Sequence, residues 1–356
     1  MFWRSKVSIS NLQIRNRIVF PPINCNWSDQ QGNVTSRILA FYKHISNGGC
    51  GMVVVSGTSI SQAGKAVSRS LCLSNESDLS GFVRLADIIK KNGCFASIQL
   101  NHVGGQGNPD FNGSEPVSPS GVKCKATGFD SRALSVSEID KIRSEFINSA
   151  ILVSKAGFNA IELHLAHGYL LHEFLSRHTN KRKDKYGGCL ENRVRLILEI
   201  ISGIIESAPG LIVGVRVSGE DFVEDGINEK ANREILPLLQ DAGVAYYSVT
   251  AGIYETSRIK HEAMSKGEFF NYARDIKKLV DKPVIGVGKI LDLDQAENHL
   301  KNKDCDMVAI GRGLIADPMM LIKVINKQSF NSCTECDQCS FLRFGRKELY
   351  CPVMNN

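Results

Sequence analysis

Three side chains able to handle protons lie within six residues of one another: His164, His167 and Tyr169. Two imidazoles three residues apart can both donate to one ligand oxygen, and a phenol two residues further on can deliver a proton beside it. The trio suits polarising a carbonyl while the neighbouring carbon is protonated. Neutral imidazoles also bind zinc and iron, but no nearby carboxylate has the regular spacing that would complete a ligand set. An isolated HxxH is most often a pair of satisfied core histidines. Here residues 160–164 form an apolar run of strand length, so the polar groups begin where a buried strand would end. The site reads as the mouth of a strand.

Seven further runs of this kind recur, over 17–20, 52–55, 95–100, 211–217, 246–249, 283–287 and 307–310. Between most of them lie helix-like stretches. In 139–156, for example, Ile139, Ile142, Phe146, Ala150 and Val153 recur at helical spacing, and Ser135 with Glu138 forms a capping box in front of them. Strand and helix alternating eight times over about this length predict an α/β fold. It would be a TIM (β/α)8 barrel over residues 1–330, with a C-terminal cysteine-rich extension over 331–356. A doubly wound sheet is the alternative, and it lacks a GxGxxG fingerprint after the first run.

A barrel gathers its chemistry at the carboxyl ends of its strands, so the residues just past each run belong together. The first run leads into Pro21, Pro22 and Asn24, the second into Gly57, and the third ends at Gln99. The fourth brings the histidines and Tyr169, and the fifth carries Arg216. Gly288 follows the seventh run, and Gly311 and Arg312 follow the eighth. Glycines there let backbone amides approach a phosphate, and Arg312 adds a charged fork. With Arg216 and Gln99 inside the barrel, flavin mononucleotide (FMN) fits better than a bare phosphate ester. Arg216 has an alternative reading as half of a buried ion pair with Glu220 or Asp221.

The segment HLAHGYLLHEFLSRHTNKRKDKYGGCLENR, 164–193, closely resembles the signature of the Old Yellow Enzyme family of FMN-dependent oxidoreductases. The resemblance extends from NRIVFPP at 16–22 to IGRGLIADP at 310–318, nearly the whole barrel. It implies an ene-reductase that reduces activated C=C bonds, with FMN as cofactor and NADH or NADPH as reductant. His164 and His167 would bind the electron-withdrawing group, and Tyr169 would be the proton donor. Pro22, Gly57 and Gln99 would line the isoalloxazine. Arg216 would face its pyrimidine edge, and Gly288, Gly311 and Arg312 would hold the phosphate. Asn24 stands where relatives often carry threonine or cysteine, and Lys289 replaces a commoner glycine. The stretch from Asn180 to Arg193 is expected to hold the loop and start the next helix.

The tail carries Cys333, Cys336 and Cys339 at successive spacings of three, with Cys351 beyond an eleven-residue gap. Three thiolates in one turn-rich loop plus a distant fourth can hold a [4Fe-4S] cluster. The pattern resembles the dienoyl-CoA reductase and trimethylamine dehydrogenase branch of the same family, with spacing nearer the amine dehydrogenase. Zinc, which usually prefers two separated CxxC pairs, and unligated thiols are the alternatives. Members of that branch continue into a dinucleotide-binding half. This chain is expected to be the flavin barrel and cluster loop without its own pyridine-nucleotide domain.

The other seven of the eleven cysteines are scattered without a pairing pattern, which fits a reducing compartment better than a disulfide framework. No apolar run reaches membrane-spanning or signal-peptide length, so a cytoplasmic protein with no membrane association is expected. The net charge of +6 is modest, and its densest run, 181–185, is interrupted by Asp184. Nothing resembles a nucleic-acid footprint. Long loops over 102–134 and 252–268 are expected to be functional or locally structured. In the second, Tyr254, Arg258, Lys260 and His261 either reach a substrate or form a solvated lid. Besides the ene-reductase of a small-molecule substrate, two readings stay open. One is an amine (C–N) dehydrogenase, and the other is an electron-transfer module whose basic surface recruits an acidic redox protein partner. A homo-oligomer is compatible with either. RNA modification, as in dihydrouridine synthases with their FMN barrel, lacks the cysteine context and RNA-binding extension it needs.

Overall fold

The computed structural model describes residues 1–256, 265, 267–340 and 345–354. Eight parallel strands close into a barrel: β1 (Ile18–Phe20), β2 (Met52–Ser59), β3 (Phe95–Asn101), β4 (Ala160–Leu165), β5 (Ile212–Ser218), β6 (Tyr246–Thr250), β7 (Val284–Val287) and β8 (Met307–Ala309). Each lies on one of the eight apolar runs, and β8 pairs with β1, Val308 opposite Ile18, to close the ring. The TIM barrel expected from the sequence is the fold.

Successive strand side chains point to opposite faces, so each strand serves two cores. The outward residues of β4, Ile161, Leu163 and Leu165, pack in the large cluster beneath the helices. The inward residues change character with height. At the bottom Phe95, Ala160 and Ile212 form an apolar plug. An antiparallel hairpin, Val7–Ile9 with Leu12–Ile14, seals the plug from below with buried Ile9 and Ile14. Further up, the same faces present Ser97 and Gln99 from β3, Glu162 and His164 from β4, and Arg216 from β5, all buried. The register sets Gln99 opposite Glu162 and His164 opposite Arg216. One barrel therefore carries a hydrocarbon base and a polar top. Gly214 makes room in the middle layer, because a Cβ there would meet the Tyr246 ring at 2.1 Å. Tyr246 spends its hydroxyl on Ser97 Oγ, 2.9 Å away.

The connections that carry polar residues are fixed by local bonds. Ser135 and Glu138 cap the helix Val136–Lys155 reciprocally, as their spacing predicts. The 102–134 loop contains a short helix, Pro109–Asn112, and a two-stranded pair, Val117–Ser118 with Arg132–Ala133. Asn180 donates to the Phe174 and Tyr186 carbonyls at 2.7 and 2.8 Å, and Arg182 forks onto Asp184 at 3.0 and 2.6 Å. This stretch runs into the helix Leu190–Ser207, the loop-holding role expected of it. His172 and Asp221, both buried, pair at 3.1 Å and tie the segment after β4 to the one after β5.

The cysteine tail folds back onto the loop after β1. The Leu349 amide donates to the Cys25 carbonyl at 3.0 Å, and Arg37 pairs with Glu348 at 2.7 Å. All eleven cysteines are free. Among the described residues no helix is long and apolar enough to cross a membrane. Arg258, Lys260 and His261 lie outside the described residues.

Candidate active site

The polar top of the barrel opens into a cavity of about 550 Å³. The structure brings together on its walls every barrel residue singled out from the sequence. Pro22 and Asn24 come from the β1 loop, Gly57 and Gln99 from β2 and β3, and His164, His167 and Tyr169 from β4 and its loop. Arg216 rises from β5, and Gly288, Gly311 and Arg312 close the far side. The tail adds Asp337, Cys339 and Ser340 to that far side.

The histidines bond to each other. His167 Nδ1 lies 3.2 Å from His164 Nε2, and His167 Nε2 lies 3.0 Å from Thr250 Oγ1 at the end of β6. The two rings stand edge to face at 5.0 Å. This differs from two free donors aimed at one oxygen, and the reason is burial: a buried donor left unpaired costs about 1–3 kcal/mol. His167 adopts φ +62, a left-handed backbone that an L-residue enters at a cost of roughly 1–2 kcal/mol. Gln106 holds it there, its Nε2 donating to the His167 carbonyl at 2.7 Å. Burial holds His164 well below the ordinary imidazole value, and nearby His167 and Arg216 push it the same way, so the ring is neutral.

Tyr169 packs edge-on against His164, ring centres 4.7 Å apart, and against Tyr254 at 6.0 Å on its other side. Burial raises its hydroxyl well above the usual phenol value, Tyr254 adds to the rise, and Arg216 opposes it. It therefore keeps its proton at neutral pH. Arg216 is lowered by burial and supported by Glu162. The carboxylate that acts on Arg216 is Glu162 on the adjoining strand, and neither of the two that the ion-pair alternative offered: Asp221 is spent on His172 and Ser218, and Glu220 caps the Phe222 amide. The Asn24 amide donates to Ser70 Oγ at 3.2 Å.

The residues present fit FMN on three observations. Arg216 Nε, Arg312 Nη2 and His164 Nδ1 are buried atoms without a partner among the described residues, on residues that line one cavity. Gly288 has φ +147, and a Cβ there would meet Phe269 at 2.7 Å. The volume lies within the ~300–1,000 Å³ of small-molecule and cofactor sites. Arg312 meanwhile pairs with Asp337 of the tail at 2.5 Å, so a carboxylate of this chain lies against the far side of the cavity.

The four tail sulfurs lie close enough to act on one another: Cys351 and Cys336 influence Cys333, and Cys333 and Cys351 influence Cys339. They are not closed around one centre. Among the described residues no group of three or more His, Cys, Asp or Glu side chains is placed to hold a metal ion.

Residues 6–331 match the NADH:flavin oxidoreductase / NADH oxidase family. The chain belongs to that family. Members of the NADH:flavin oxidoreductase family similar to it include an NADH oxidase of Thermoanaerobacter brockii, 37% identical over 94% of this chain and 52% of that protein. An NADPH dehydrogenase of Clostridium acetobutylicum is 33% identical over 91% of this chain and 94% of that protein. In three dimensions the chain superposes on a 2-naphthoyl-CoA reductase in complex with 2-naphthoyl-CoA with a TM-score of 0.93 and 28% identity, covering 99% of this chain and 56% of that one. The chain spans about half the length of the NADH oxidase and of the reductase, and nearly all of the NADPH dehydrogenase.

Four residues of the site escaped the sequence reading. Thr250 and Gln106 carry no sequence signal beyond their position near strand ends, and Asp337 lies hidden among the cysteines. Glu162 did leave a sign, since a carboxylate inside an apolar run of strand length is out of place unless the strand faces a polar interior.

Proposed function

We propose that this chain is an FMN-dependent ene-reductase that reduces C=C bonds conjugated to a carbonyl, with NADH or NADPH as the source of electrons. The observation that carries the reading is the meeting in one cavity of the His164–His167 pair, Tyr169 and Arg216, beside a far wall built of Gly288, Gly311 and Arg312. FMN, when bound, supplies the hydride that reaches the β-carbon. His164 and His167 hold the carbonyl oxygen, exchanging the bond they share for bonds to it. Tyr169 protonates the α-carbon, and its raised affinity for the proton keeps it loaded at neutral pH. Pro22, Gly57 and Gln99 line the ring, with the Asn24 amide at its edge, and Arg216 stabilises negative charge on it. Gly288, Gly311 and Arg312 take the phosphate. The similarity to a reductase in complex with 2-naphthoyl-CoA supports reduction.

Residues 1–330 form the flavin barrel in this reading, and Cys333, Cys336, Cys339 and Cys351 in the 331–356 tail would hold a [4Fe-4S] cluster, which would supply one-electron transfer; a redox protein as donor belongs to the alternative reading of an electron-transfer module. Iron and sulfide content of protein purified without oxygen tests the cluster. The reaction itself is tested by anaerobic turnover. Cyclohexenone should yield cyclohexanone, and methylated amines should leave the oxidised flavin unreduced. Reduction by amines alone would make the site a C–N dehydrogenase. For the oxygen site, His164→Ala in FMN-loaded protein should weaken binding of a phenolate by about 10- to 100-fold, the worth of one hydrogen bond to a charged oxygen. Titration of the long-wavelength charge-transfer band measures it, and unchanged affinity would remove His164 from that role.

A further inference from the structure

One carboxyl group beneath the cavity has no part in the reaction just described. Glu162 is 0% exposed and points inward on β4, one layer below His164. Its Oε1 accepts from Gln99 Nε2 at 2.8 Å, and its Oε2 has no partner among the described residues. The groups that face it are few: Gln99 from β3, Arg216 from β5, Tyr246 from β6 and His164 above it on its own strand. Arg216 is the one permanent charge among them. Both Gln99 and Arg216 line the cavity, so whatever charge forms there is felt by Glu162 through one intervening side chain.

We propose that Glu162 is a redox-linked proton site, a carboxylate counter-charge to Arg216 while the flavin is oxidised that takes up a proton when the flavin is reduced. This rests on the FMN reading of the cavity. With the flavin neutral, Arg216 and an ionised Glu162 balance. Two electrons and one proton turn the ring into its reduced anion, and the buried group would then carry a net negative charge. One further proton, drawn from solvent onto Glu162, restores neutrality and leaves the guanidinium free for the reduced ring. The electrons come from the nicotinamide as hydride, and the second proton comes from water, so charge and atoms balance. Burial already lifts Glu162 to about 7, against the downward pull of Arg216 and Gln99, so one added negative charge nearby decides its state around neutrality. Glu162 acts through Arg216 and Gln99 and touches no reacting atom, which makes it a positioning residue.

The test is the pH dependence of the flavin midpoint potential in FMN-loaded protein, from neutral to mildly alkaline pH. Wild type should take up two protons per two electrons and Glu162→Gln only one. On reduction, infrared difference spectra of wild type should show a protonated-carboxyl band that the variant lacks. One proton per two electrons in wild type with no carboxyl band overturns the proposal, and so does an unchanged two-proton slope in the variant. If Glu162→Gln does not fold, the wild-type slope and band decide alone. A wild-type protein that binds no FMN would overturn the reading of the cavity itself, an outcome distinct from FMN bound with a one-proton slope.

Discussion

Replacing Tyr169 by phenylalanine should slow transfer from reduced flavin to an enone by about 10²–10⁴-fold, the usual worth of a positioned general acid. FMN binding and flavin reduction by the nicotinamide should stay near wild type, because neither uses the phenolic proton. The substitution keeps the ring, so the edge contacts with His164 and Tyr254 survive and only the hydroxyl is lost. Stopped-flow mixing separates the two half-reactions. Reoxidation by cyclohexenone at the wild-type rate would show that the proton comes from elsewhere.

The second large effect is on stability. Asp221 accepts from His172 Nε2 at 3.1 Å, Ser218 Oγ at 2.7 Å and the Ile227 amide at 2.6 Å, in full burial. Asp221→Ala leaves the His172 and Ile227 donors without an acceptor and Ser218 with only the Glu220 carbonyl at 3.2 Å, and the expected loss is about 3–5 kcal/mol. Denaturant unfolding monitored by far-UV circular dichroism would measure it, and a loss under ~1 kcal/mol would mean water replaces the carboxylate. The acid limb offers a second check. Burial works to raise Asp221, but His172, Ser218 and the Ile227 amide outweigh it and leave the group lowered. Its contribution is therefore present above the ordinary carboxylate value and is lost as pH falls through that value to the lowered one. The variant should lack this part of wild-type acid destabilisation.

Much of this was legible from the chain because barrel strands and their mouths write a simple pattern. Runs such as 52–55 and 307–310 are buried on both faces and read as continuous apolar stretches, and the polar residues that follow them mark the carboxyl ends. The pairing of His164 with His167 was not legible, since it depends on a left-handed backbone at His167 that Gln106 holds from another loop. Nor was the carboxylate whose charge acts on Arg216. Glu220 and Asp221 are near in sequence, whereas Glu162 comes near Arg216 only because the β4–β5 register sets it opposite Gly214, one inward layer below. The Arg312–Asp337 pair needs the tail to fold back over the barrel mouth, a contact between segments 25 residues apart that no local pattern encodes.

The central claim is that the cavity sends hydride to the β-carbon and a proton to the α-carbon of a bound enone. Turnover of cyclohexenone with nicotinamide cofactor deuterated at its transferable position, in ordinary water, tests it most directly. The account predicts cyclohexanone with deuterium at the β-carbon and ordinary hydrogen at the α-carbon. Deuterium at the α-carbon, or a flavin that is reduced by the nicotinamide yet yields no saturated ketone, would contradict it.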